Sequence, residues 1–144
     1  MSKQYDELEG ITWYTDPSTN SLSTSFHLYF GQKKSGTPWL RLRIRYHSRD
    51  WLFIKSFFVV ADGHRFDKPY AKFQRNHGSG SIWEWYDESV SVSDMAMIKD
   101  IIKSKKATIR FKGNQYFRDH EITEQEKKSL QNVIEAFEAL GGKK

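Results

Sequence analysis

Nine consecutive residues constrain this chain more than any others: Trp39-Leu40-Arg41-Leu42-Arg43-Ile44-Arg45-Tyr46-His47. Their alternation is strict, and an extended strand sorts it by parity. Leu40, Leu42, Ile44 and Tyr46 take one face, while Trp39, Arg41, Arg43, Arg45 and His47 take the other. The pattern predicts a strand buried on one side only, with three guanidinium groups aligned beside an indole on the opposite side.

Turn signals recur at short spacing through the first two thirds of the chain: Asp16-Pro17-Ser18, Ser35-Gly36-Thr37-Pro38, Ser48-Arg49-Asp50, Asp62-Gly63 and Gly78-Ser79-Gly80. Between them lie β-branched and aromatic runs, which predict strands over 11–15, 22–30, 39–47, 51–61, 64–66 and 82–86. Asp62-Gly63 fits a type I′ hairpin, whose two central residues both need positive φ. The run 51–60 is apolar at both parities except Lys55 and Ser56, which predicts a central strand covered on both faces.

The period changes in the last third. Ser93-Asp94 opens a helix with Met95, Ile98, Ile101 and Ile102 on one stripe. Residues 107–112 alternate again, with Ala107, Ile109 and Phe111 inward, and Gly113 ends that strand. Thr123-Glu124-Gln125-Glu126 has the capping-box spacing, in which the hydroxyl and the Glu126 carboxylate each satisfy an orphan backbone N–H. The helix that follows buries Leu130, Val133, Ile134, Phe137 and Leu140 and stops at Gly141-Gly142. The expected architecture is α+β: a meandering antiparallel sheet, open to a sandwich-like arrangement, with one helix inserted before its last strand and a packed C-terminal helix.

A chain of 144 residues fits one domain. At that length roughly two thirds of the surface exposed by the unfolded chain is buried on folding. The core is expected over 10–142, with 1–9 flexible or at a sheet edge. Five Trp, seven Tyr and ten Phe offset a modest hydrophobic fraction and argue against disorder. The formal charge of +5 permits weak attraction to nucleic acid or anionic lipid without requiring it. With no cysteine, disulfides, thiolate metal sites and cysteine nucleophiles are excluded together. The polar N-terminus and the lack of a long apolar run give the expectation of a cytoplasmic chain, or an envelope or secreted one if a leader was removed.

Three constellations could carry chemistry. If 22–30 pairs with 39–47, His27 and Tyr29 stand beside Arg41, Arg43 and Arg45, joined by Trp39 at one end. Guanidinium groups interleaved with rings suit phosphates and bases. The competing reading pairs those arginines with acids such as Glu84, Asp87 or Glu88, or covers them with a helix. Second, Trp83 and Trp85 share one strand face, with Glu84 on the other, and form either a ligand platform or sheet-covering bulk. Third, the five histidines show no paired metal-ligand spacing. Asp119-His120-Glu121 would point to alternate sides of an extended segment, which disfavours chelation by all three. No phosphate-binding loop, nucleophile elbow, dinucleotide fingerprint or zincin helix is present.

The set Pro38-Trp39-Leu40-Arg41-Leu42, Asp50-Trp51-Leu52-Phe53-Ile54 and Ser81-Ile82-Trp83-Glu84-Trp85-Tyr86-Asp87-Glu88-Ser89-Val90-Ser91, with the tail from Ser104 to Gly142, is similar to an uncharacterised bacterial small-domain family. That family is found in small lipoproteins and in other secreted or phage-encoded proteins. The resemblance spans about Ile11 to Gly142 and implies a compact β-rich domain with a C-terminal helix. It implies no activity and no site residues, and this chain lacks the signal peptide and lipobox cysteine of the lipoprotein pattern.

The leading expectation is therefore a non-enzymatic binding domain that recognises a protein or peptide. Its candidate residues are Trp39, Arg41, Arg43, Arg45, His27, Tyr29, Trp83 and Trp85. Nucleic acid binding through Arg41, Arg43 and Arg45 is the first alternative. A hydrolase, metal-dependent or acid–base, built from His120, His64 and scattered carboxylates, is the second. No cofactor or metal is expected, and the oligomeric state is left open.

Overall fold

The computed structural model describes residues 1–19 and 21–143. The chain runs β1 (Ser2–Asp6), β2 (Ile11–Thr15), β3 (Ser25–Lys33), β4 (Trp39–Ser48), β5 (Ser56–Ala61), β6 (His64–Lys68), β7 (Gln74–Gly78), β8 (Ser81–Ser89), α1 (Val92–Lys103), β9 (Ala107–Lys112), β10 (Phe117–Glu121) and α2 (Glu124–Ala139). These strands form two antiparallel sheets. The larger has the order β1-β2-β3-β4-β8-β7, and the smaller the order β10-β9-β5-β6. The architecture is the α+β one, with one helix inserted between strands and one at the C-terminus. Two strands rather than one follow the inserted helix.

The alternating strand β4 lies between β3 and β8 and pairs with both. Leu40, Leu42, Ile44 and Tyr46 are buried, as are Phe26, Leu28 and Phe30 of β3, on the face that parity assigned to them. The smaller sheet contributes Phe57, Val59, Ala61, Ala107, Ile109 and Phe111 to the same core. The helices close it with Met95, Met97, Ile98 and Ile101 from α1 and Leu130, Val133, Ile134 and Phe137 from α2. Leu140, expected inside, falls past the last helical turn and is exposed.

Local chemistry explains the element ends. In α2, Thr123 Oγ1 accepts from the Glu126 amide while the Glu126 carboxylate accepts from the Thr123 amide, so the capping box forms as its spacing requires. Ser91 and Asp94 make the same arrangement for α1, two residues ahead of the expected start. Asp62 and Gly63 take φ of 47° and 87° in the β5–β6 hairpin.

Three expectations need correction. The strand predicted over 22–30 begins at Ser25, because 21–24 leave the ladder to cross the outer face of the large sheet. The strand predicted over 51–61 begins only at Ser56. Leu52, Phe53 and Ile54 instead direct their amides at the Glu84 carboxylate, at 2.8, 3.0 and 2.8 Å, and so cannot join a ladder. Nor is that strand covered on both faces. Phe58 and Val60 are half-buried on the outside, with the Arg65 guanidinium 3.7 Å from the Phe58 ring centroid.

Candidate functional site

All eight residues singled out in the sequence stand on the outer face of the large sheet. The β3–β4 register sets His27 opposite Arg43 and Tyr29 opposite Arg41, and Gly31 lies opposite Trp39. On the other side of β4, Arg43 faces Asp87, Arg45 faces Trp85 and His47 faces Trp83. Trp13, which the sequence reading passed over, completes the row. Its ring centroid is 5.5 Å from Tyr29 and 5.7 Å from Trp39. The two indoles close over Gly31, where a Cβ would come within 2.8 Å of Trp39 and 2.7 Å of Trp13.

The three arginines have different surroundings. Arg41 donates from Nε to Asp87 Oδ1 at 2.8 Å and from Nη2 to the Asp87 carbonyl at 3.0 Å. Tyr29 donates to the other carboxylate oxygen at 2.5 Å. Burial, reinforced by the Asp87 charge, pushes the Tyr29 hydroxyl up to about 12. Burial opposes the charge on Arg41, but Asp87 outweighs it and the guanidinium is held still more firmly protonated. Arg45 is 8% exposed and donates to the carbonyls of Ser21 and Ser23, so it holds the crossing segment against the sheet. Burial and the neighbouring Arg43 lower its pKa.

Arg43 is the one left over. Its closest carboxylate oxygen, on Asp87, is 3.6 Å away and already engaged by Tyr29. Its Nε is buried without a hydrogen-bond partner. The guanidinium carbon lies 6.0 Å from the Trp85 ring centroid. Arg43 and Trp85 line a pocket of about 220 Å³ with Leu22, Arg45, Asn76 and Trp83. Trp83 Nε1 donates to the Leu22 carbonyl at 2.9 Å and is stacked on His47, which fixes that wall. Of the acids named as partners, Asp87 alone meets this face. Glu84 points through the sheet to the core side, where Arg75 pairs with it at 3.1 Å.

The outer face of the small sheet provides the contrast. It also carries arginines over rings, with Arg110 3.9 Å from the Phe117 centroid. Each guanidinium there has its own acid, however: Arg65 with Asp67 at 2.9 Å and Arg110 with Asp119 at 2.7 Å. That face is internally neutralised. The large sheet sets three arginines against one aspartate and keeps a cationic surplus.

A cavity of about 590 Å³ opens at the N-terminal end of β3 between the crossing segment and the start of α2, and is lined by His27, Arg45, His47, His120, Glu126 and several hydroxyls. His27 is buried, and desolvation with the charges of Arg45 and Arg43 lowers its pKa to about 4. Its Nδ1 lies 3.1 Å from Ser25 Oγ, but an imidazole that resists protonation is a poor base for a serine nucleophile. His120 Nε2 lies 2.8 Å from Glu126 Oε1. Glu126 also accepts the Phe26 and Thr123 amides. Burial works against that carboxylate, yet these bonds outweigh it and hold its pKa low. The group therefore ties β3, β10 and α2 together.

His64, the other histidine proposed for hydrolysis, faces Asp100 of α1 at 3.1 Å and does not meet His120. Among the described residues no three His, Asp or Glu side chains gather as a metal site. No helix among the described residues is long and apolar enough to cross a membrane. No family model, curated protein or solved structure matches the chain, so the functional reading rests on this geometry.

Proposed function

We propose that this domain binds a protein or peptide partner by taking an acidic side chain into the Arg43 pocket between Trp83 and Trp85. The observation that carries the reading is the weakly paired Arg43 guanidinium, whose one carboxylate contact is 3.6 Å away on an oxygen that Tyr29 already engages. The Arg43 side chain is 36% exposed, and a ligand carboxylate would give its solvent-facing end the short, charge-assisted contact that Asp87 does not. Indole walls add apolar area that is lost to water on binding, as at interface hot spots. Trp13, Trp39 and Tyr29 extend the surface along the same face for the residues that flank the anchor.

Nucleic acid has less support on this face. A phosphate backbone needs several free cations, and Arg41 and Arg45 are already committed to Asp87 and to main-chain carbonyls. The test is selection from a random-peptide display library, followed by anisotropy of the labelled winners on the wild type and on Arg43→Gln. Enriched peptides carrying Asp or Glu, bound at least tenfold more weakly by the variant at unchanged melting temperature, support the reading. Winners without acids, or equal affinity for the variant, remove the pocket from consideration.

A further inference from the structure

Phe53 occupies a backbone conformation that a phenylalanine rarely adopts, with φ of 57°, and the residue is 44% exposed. A turn alone would be served better by glycine or asparagine, which reach this region with little or no steric cost. The fold instead holds the strained residue in place. The wholly buried Glu84 takes the amides of Leu52, Phe53 and Ile54, and Arg75 pairs with Glu84 while donating to the Ile54 carbonyl at 3.2 Å. What this anchoring presents to solvent is a ring stacked on Trp51, centroids 5.9 Å apart, with the Arg75 guanidinium 5.5 Å from its own centroid. Strain that the surroundings over-determine points to a use for the group it displays.

Beside the ring lies a shallow hollow of about 450 Å³, lined by Ile54, Lys55, Tyr70, Ala71, Lys72, Phe73 and Arg75. No carboxylate lines it. Lys55 and Lys72 are exposed and make no ion pair with a described residue, and Tyr70 is 94% exposed. Cations without acids, set in a concavity between exposed rings, match the needs of a flexible polyanion that carries its own planar groups.

We infer that this hollow binds single-stranded nucleic acid, with bases stacked on Tyr70 and the neighbouring Phe53 and phosphates held by the unpaired Lys55 and Lys72, while Arg75 stays on Glu84. Base-edge recognition has no dedicated groups there, so binding is tolerant of sequence. The site lies on the core side of β7 and β8, separate from the Arg43 pocket on the outer face, and does not depend on the peptide reading.

Anisotropy with labelled mixed-sequence oligonucleotides, single- and double-stranded, across a salt series tests it. The proteins are wild type, Phe53→Gly, Phe53→Asn, the Lys55→Ala/Lys72→Ala double variant and Arg43→Gln. Wild type should prefer the single strand, with affinity falling as salt rises. Both Phe53 variants should lose at least tenfold while melting no lower than wild type, since both residues are at ease at positive φ. The double lysine variant should weaken binding and flatten the salt slope by about 0.7 for each lysine removed. Arg43→Gln should bind as wild type does. No binding at low salt, preference for duplex, or Phe53 and lysine variants that bind like wild type would each overturn the inference. Retention on phosphatidylserine vesicles without oligonucleotide binding would overturn it in favour of a membrane surface.

Discussion

Glu84 has no exposed surface, yet both its oxygens are met: Oε2 by the Leu52 and Phe53 amides, Oε1 by the Ile54 amide and Arg75. Every one of those partners is a donor, so the site is built for a charge. In Glu84→Gln the side-chain amide nitrogen would meet donors where an acceptor stood, and Arg75 would lose its counter-ion. Leaving buried donors unmet in this way costs about 1–3 kcal/mol. Urea denaturation should show a loss in that range, and a loss below about 1 kcal/mol would mean that the amides find water instead. Parity placed Glu84 opposite the two indoles, and that was legible in the sequence. Its partner was not, because the three amides belong to a run that reads as a strand. A one-residue view of Trp51-Leu52-Phe53-Ile54 finds apolar residues and cannot see that their amides turn toward a distant carboxylate.

At the scale of elements, the strongest periodic segments were legible and the weak ones were not. Strands β4 and β9 have a buried face that writes itself into the sequence as alternation. Strand β7, Gln74-Arg75-Asn76-His77-Gly78, is polar throughout because it is an edge with little to bury. Strand β10 is polar after Phe117 and carries His120 and Asp119, which the sequence set side by side; the strand sends Asp119 to Arg110 and His120 to Glu126. The tip of the β9–β10 hairpin packs closely on the segment ahead of β5. A Cβ on Gly113 would lie 1.9 Å from the Leu52 carbonyl oxygen, a backbone atom that cannot step aside. Gly113→Ala should therefore destabilise by about 1–3 kcal/mol or more, as overpacking does. Gly36→Ala is the control, since its nearest backbone neighbour, the Lys33 carbonyl oxygen, is 3.7 Å away. Equal melting of the two variants would show that the hairpin moves freely against the Glu84 loop.

For the whole molecule, the buried imidazole of His27 makes folding stability sensitive to acid. In the unfolded chain it titrates near its ordinary value of 6.5; in the fold, burial with Arg45 and Arg43 lowers that to about 4. Between these values the unfolded state binds the proton and the native state does not, so stability falls as pH falls. The stability is fully present above about 6.5 and lost progressively down to about 4, amounting to about 3 kcal/mol. Carboxylates held low in the fold, Glu126 and Asp16 among them, add their own loss at still lower pH, as each approaches its folded value. Burial opposes both, and their hydrogen bonds prevail. The two windows are separable. Melting followed from pH 7 to pH 5 should decline in the wild type and flatten in His27→Asn, whatever that variant's stability at neutral pH. A slope unchanged by the substitution would mean that the cavity beside His27 admits enough water to solvate the imidazolium.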